Sequence, residues 1–190
     1  MPASGLRGIH DIPLGSHICT FYRQPKYFLR MSASFLKAGL INHEACVWIL
    51  PSPVTLESAV HALSQHGLDA AELQATQQLQ ILLAHDYYFA SSLFDVDAAL
   101  NRLVSLCVMA RQLGYRSVRA AGGPGPFLSE GRRRAFMRYE QHATEVIARH
   151  PGIGLCCYPS PHCLPATEIF DIMSTHPKAF LRTHDGWATV

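Results

Sequence analysis

Neither sign of charge dominates this chain, and it contains no long apolar run. Its 190 residues carry 16 Lys and Arg against 14 Asp and Glu, a formal net charge of +2. That balance is too weak to direct the protein to nucleic acid or to an anionic membrane surface. No apolar run exceeds seven residues, far short of the ~20 a membrane-crossing helix needs. The opening MPASGLRGIHDIPLG lacks the apolar core of a secretory leader. The expected location is therefore cytoplasmic. Repeats and low-complexity segments are absent as well. The six cysteines lack the paired spacing of a zinc site, and in a reducing compartment free thiols are expected. Cys19, Cys46, Cys107 and Cys156 each lie in an apolar stretch, the usual setting of a buried, inert thiol.

What is present is a core. Apolar residues make up 48% of the chain and charged residues 16%, the balance of a folded domain rather than a disordered one. One domain over residues 1–190 is expected, with 1–14 a flexible N-terminal arm. Short apolar runs predict strands at 17–22, 45–50, 79–85, 117–122 and 153–158, with a sixth at 179–183. Several are apolar on both faces, as in a parallel sheet covered on two sides. Between them lie helical stripes at 26–40, 56–67, 97–114, 129–149 and 165–175. Strand and helix alternate, which predicts an α/β fold with a mostly parallel central sheet of five to six strands and helices on both faces. Ligands of such sheets bind beyond the carboxyl ends of the strands.

The start of the chain, a strand, a loop, then a helix ending in FLKAGL, is similar to the start of RecA/KaiC-like ATPase domains. There the first loop must present backbone N–H groups and a lysine to phosphates. Here that loop reads YRQPKY: it has no glycine, Lys26 is not followed by Ser or Thr, and Pro25 removes a donor. The glycine-rich GGPGP (122–126) contains neither GK[ST] nor G-x-G-x-x-G. No ATP hydrolysis is expected, and no cofactor is specified.

A more specific resemblance runs through GSHICTFY (15–22), FLKAGLINHEACVWI (35–49), HDYYFASSLFD (85–95), ARQLGYRSVRAAG (110–122), YEQH (139–142), LCCYP (155–159) and THP (175–177). In these pieces and their order the chain resembles the DcmR-type sensory (MEDS) domains. The resemblance implies a RecA/KaiC-like fold without a working phosphate loop. It also implies a sensory role toward small organic molecules such as hydrocarbon derivatives. Family members are often joined to a histidine kinase or a DNA-binding segment. With room for neither here, output is expected to pass through a separate signalling or regulatory protein, a histidine kinase or a transcription regulator. The chain departs from the family at 123, where Gly123 takes the position of a usual carboxylate. The LCCYP stretch departs too, with cysteine where glutamine is usual and proline where aspartate is.

Several residues stand out individually. Glu140 falls on the apolar face of its helix, and Arg119 lies inside an apolar strand; each needs a partner, and they could pair with each other or meet a ligand. His17 and Cys19 alternate onto one strand face, as two metal ligands or as a histidine above a buried thiol. His85, Tyr87 and Tyr88 follow the third strand at its carboxyl end. Tyr22 and Tyr158 hold similar positions, and Tyr139 edges the stripe that carries Glu140. Such tyrosines suit a small organic ligand or ordinary packing. His176 could contact a ligand or cap a helix end. The run at 132–134, three arginines, is expected to be a solvated face. Cys156 and Cys157 are adjacent on a strand and point to opposite faces, so they cannot easily share an ion.

The leading reading is a non-catalytic sensor. Its ligand-binding candidates are His17, Tyr22, His85, Tyr87, Tyr88, Arg119, Tyr139, Glu140, Tyr158 and His176. An alternative is a metal- or redox-responsive regulator using His17, Cys19, Cys157, His162 and Cys163. A third is an enzyme with His85, Glu140 or a cysteine as base or nucleophile, for which no nucleophile–base pair is evident from spacing. The expected partners are a small organic molecule and a separate protein, with no direct nucleic acid and no membrane.

Overall fold

A computed structural model describes residues 1–88, 94–125, 130–159 and 164–190. The six expected strands are all present: β3 (Ser16–Tyr22), β4 (Ala45–Leu50), β5 (Leu79–Leu83), β6 (Val118–Gly122), β7 (Gly152–Pro159) and β8 (Lys178–Arg182). Together with β9 (Trp187–Thr189) they form one seven-stranded sheet in the order β5-β4-β6-β7-β3-β8-β9, parallel except for the β8–β9 edge pair. The fold is therefore α/β with a mostly parallel sheet.

The five expected helices form as well. They are α1 (Pro25–Ile41), α2 (Leu56–Ser64), α5 (Val96–Gln112), α6 (Glu130–Arg149) and α7 (Ala166–Ser174). In α1, Pro25 takes the first turn, where its missing N–H costs nothing. Its stripe Phe28, Met31, Phe35, Leu36 and Leu40 is buried. Thr55 and Ser58 close a reciprocal capping box on α2, and Asp95 caps α5 by accepting from Ala98 N–H. On one face of the sheet, α1 and α2 cover a core around Phe28, Phe35, Leu36 and Trp48. On the other, α5 and α6 cover a second core around Tyr88, Leu103, Phe136, Tyr139 and Ile147.

Five short elements were not evident in the sequence. The helix α3 (Ala70–Ala75) is a turn and a half, held by Asp69, whose carboxylate accepts from Ala71 and Glu72 N–H. The fifth strand stops at Leu83, and Ala84–Tyr88 coil into α4, so His85 lies in a helix rather than in the strand. The edge strand β9 has three residues, too few to show alternation. Residues 1–14 are not a loose arm. Ala3–Leu6 (β1) and Ile9–Asp11 (β2) pair antiparallel, with Ser4, Leu6 and Ile12 buried. Ser34 on α1 donates to Gly5 O at 2.6 Å. Small buried side chains and bonds to distant residues order this hairpin, and neither leaves a period to read.

Arg119 accounts for much of that order, and its partner is not Glu140. Arg119 Nε and Nη2 grip Glu44 at 2.6 and 3.1 Å, and Nη1 donates to Ala3 O at 2.9 Å and Phe35 O at 3.1 Å. Its guanidinium also lies 4.8 Å from the Phe35 ring centre. Arg119 faces α1, whereas Glu140 reaches the sheet from α6 on the opposite side. No helix among the described residues is long and apolar enough to cross a membrane.

Candidate functional site

Four elements bring polar side chains to one point beneath α6. Alternation along β3 turns Ile18, Thr20 and Tyr22 toward α1 and His17 and Cys19 toward α6. On β7 the same rule turns Cys156 and Tyr158 toward α6, and Cys157 away from it to Ser32 on α1. One turn apart on α6, Glu140 and Thr144 face the sheet. His176 follows the end of α7, which Arg133 ties to α6 by gripping Glu168 at 2.7 Å and Asp171. The arginine run therefore includes a bridge between helices, not only a solvated face.

The resulting cluster is closely spaced. His17 Nε2 lies 3.2 Å from Glu140 Oε2 and 3.1 Å from Cys156 Sγ. His176 Nε2 lies 3.5 Å from the same Glu140 oxygen. Cys156 Sγ is 3.6 Å from it, and Tyr158 donates to Glu140 Oε1 at 2.9 Å. The two imidazole centres are 4.2 Å apart. Glu140 is 1% exposed and His17 2%. Burial, only partly opposed by Glu140, lowers His17 and favours its neutral form. Burial and then the Glu140 charge push the Cys156 thiol well up.

Beside the cluster is a narrow cavity of about 40 Å³, lined by Leu103, Leu106, Ala120, Tyr87, Tyr88 and Tyr139 and by three cluster residues, His17, Glu140 and Cys156. It lies against the face of the sheet, under α5 and α6, rather than beyond the carboxyl edge. The aromatic rings pack edge to face: Tyr87 and Tyr88 centres are 4.8 Å apart and Tyr88 and Tyr139 5.6 Å. Burial pushes the Tyr87 hydroxyl up to about 12 and those of Tyr88, Tyr139 and Tyr158 well above the ordinary range. All four are protonated donors at neutral pH. A larger cleft of about 160 Å³ lies at the amino end of the sheet by Arg111, Arg116 and Pro151, away from these groups.

Of the residues singled out from sequence, His17, Tyr87, Tyr88, Tyr139, Glu140, Tyr158 and His176 gather here. Tyr22 packs against Phe28 at 5.5 Å on the other face of the sheet, and Arg119 is committed to Glu44. His85 is an exposed side chain beside Asp86. Of the suggested metal set, Cys157 faces α1, Cys19 is outside the group of converging ligand atoms, and His162 and Cys163 lie outside the described residues. The five described cysteines are free. Cys156 joins the site although its apolar run reads as inert; Thr144 was missed, and the polar step it makes in the α6 stripe was its one signal. At the family's acidic position, a Cβ on Gly123 would stand 2.6 Å from Cys157 O, so the backbone here leaves no room for a carboxylate. The β3–α1 connection is only Arg23 and Gln24, too short to wrap a phosphate.

Gly154 makes room for His17. A Cβ there would lie 2.9 Å from Ile147 Cδ1 and 3.1 Å from His17 Cδ2. Gly154→Ala is expected to cost about 1–3 kcal/mol by overpacking and to displace the imidazole. Urea unfolding checks the first, and histidine ring NMR shifts the second.

No curated protein matches the chain. Among solved structures, the KaiC-like protein PH0186 from the hyperthermophilic archaeon Pyrococcus horikoshii OT3 superposes with a TM-score of 0.66 over 94% of this chain and 78% of that one, at 12% sequence identity. That likeness shows the fold, a KaiC-like α/β sheet. The family model described as MEDS, methanogen/methylotroph, DcmR sensory domain, matches residues 16–177. With the match spanning β3 to the His176 turn, the chain belongs to the MEDS sensory-domain family.

Proposed function

We propose that the domain senses a small organic molecule, a hydrocarbon derivative in size and polarity, bound in the cavity under α5 and α6. The observation that carries this reading is the cavity wall. It is mostly apolar, yet Tyr87 and Tyr139 hydroxyls and the Glu140 cluster meet at it. Ligand pockets have this make-up, with a few placed polar groups fixing orientation. At about 40 Å³, the cavity suits a guest of a few heavy atoms. Binding would then shift the packing of α5 and α6, provided the ligand prefers one arrangement. A separate signalling or regulatory protein would read that change.

The enzyme reading has less support. Cys156 and His17 touch, but burial and Glu140 both disfavour the thiolate that a nucleophile needs.

A thermal-shift screen of one- to four-carbon alcohols, ketones and halogenated hydrocarbons tests the proposal. Stabilisation by at least one class is expected. Tyr87→Phe or Tyr139→Phe should weaken that guest about tenfold, as for a lost hydrogen bond of about 1–1.5 kcal/mol. A screen with no stabilising compound, or one whose hit ignores both changes, would sink it.

A further inference from the structure

The cluster contains more proton acceptors than protons. Ile172 O can only accept, so the 2.8 Å contact from His176 Nδ1 fixes the proton on Nδ1. His176 Nε2 is then a bare lone pair, fully buried and without a hydrogen-bond partner. Thr144 Oγ1 has one hydrogen, and its contacts to Glu140 O at 3.1 Å and Thr175 O at 3.0 Å use it. In that arrangement it accepts from His17 Nδ1, 2.7 Å away. His17 Nε2 is therefore a second lone pair. Glu140 Oε1 is occupied by Tyr158, leaving Oε2 as the third acceptor aimed at the same point. One thiol hydrogen, on Cys156, serves three acceptors.

We infer that His17, Glu140, Cys156 and His176 bind one divalent transition-metal ion, with zinc the best match to the donor set. A cation at the centre supplies what the acceptors lack. Two imidazoles, a carboxylate and a thiolate are borderline-soft ligands of the kind zinc takes. Tetrahedral bonds of about 2.0–2.3 Å place ligand atoms roughly 3.3–3.8 Å apart. The four measured separations are 3.1, 3.2, 3.5 and 3.6 Å, and all ligand atoms lie within 4.8 Å of one another. The outer contacts are also those of a metal site. Each imidazole donates its far N–H, to Thr144 and to Ile172 O, and Tyr158 orients the carboxylate. Binding displaces the Cys156 proton to solvent as the thiolate joins the ion. Three of the four ligands line the cavity, so a guest with a lone pair would meet the ion; this last step rests on the small-molecule reading.

The test is metal binding itself. The full chain, stripped with chelator, is titrated with Zn²⁺ and with Co²⁺. One ion per chain is expected. The Co²⁺ form should show the strong visible bands of a tetrahedral site and a near-ultraviolet thiolate-to-cobalt band. Cys156→Ser should abolish the charge-transfer band, and His176→Ala should weaken Zn²⁺ more than about 100-fold, beyond the loss typical of outer-shell changes. Glu140→Gln, nearly isosteric, should weaken it likewise while circular dichroism stays native, which guards against a variant that fails to fold. No stoichiometric ion, or an ion held undiminished by Cys156→Ser and His176→Ala and hence bound elsewhere on the chain, would overturn the inference. Either result leaves the organic-ligand screen, read through Tyr87 and Tyr139, standing on its own.

Discussion

Glu44→Ala is expected to remove about 3–5 kcal/mol of unfolding free energy, the usual cost of stranding one member of a buried ion pair. Both partners are fully buried, and the contact is two-pronged. Without Glu44, Arg119 keeps a full charge inside the domain with only the carbonyls of Ala3 and Phe35 to receive it. That loss is not the worth of the pair. Replacing both residues by apolar ones of similar volume should recover much of it. The change should also be felt locally, because the same guanidinium holds β1 through Ala3. Urea denaturation reads the global term, and hydrogen exchange at residues 3–11 reads the local one. A loss under about 1 kcal/mol would show that water reaches Arg119 and that the pair behaves like an exposed one.

Leu103→Ala is the second large effect. Leu103 is 6% exposed on α5 and lines the cavity. Trimming it should cost about 2–5 kcal/mol, spread over lost transfer energy and the void left behind. The urea midpoint should fall with the slope unchanged, since the surface exposed on unfolding barely alters. The same void lengthens the cavity beside Tyr87 and Tyr88. Larger apolar guests that do nothing for the parent protein should therefore stabilise the variant, as apolar cavities bind apolar guests. If the variant loses stability but gains no new guest, α5 has collapsed inward and the cavity wall is softer than the packing suggests.

Much of this was legible in the residues, for a physical reason. Apolar runs and stripes report burial, so every long strand and helix showed itself. Alternation reports parity, so His17 with Cys19, and Cys156 against Cys157, were placed correctly relative to each other. Parity does not say which helix covers which face. Arg119 and Glu140, both buried charges in need of partners, therefore looked like a pair, although the sheet separates them. Nothing in NHEAC says that Glu44 turns inward. His176 reads as a helix cap, which its Nδ1 is; only the third dimension shows where Nε2 points. Cys156 was indistinguishable from the inert thiols around it until β7 was laid beside β3.

The sheet order has a consequence for synthesis. The strand β3 emerges from the ribosome before the other six strands of the sheet, yet its neighbours are β7 and β8, among the last. Until residues 152–159 have been made, both edges of a strongly apolar strand lack their partners. The β5-β4-β6 half can pair before β7 is made, but the sheet closes around β3 only once β7 and β8 have followed. A growing chain in that state is a natural client for chaperones, and shortening it before β8 would leave the centre of the sheet with an open side.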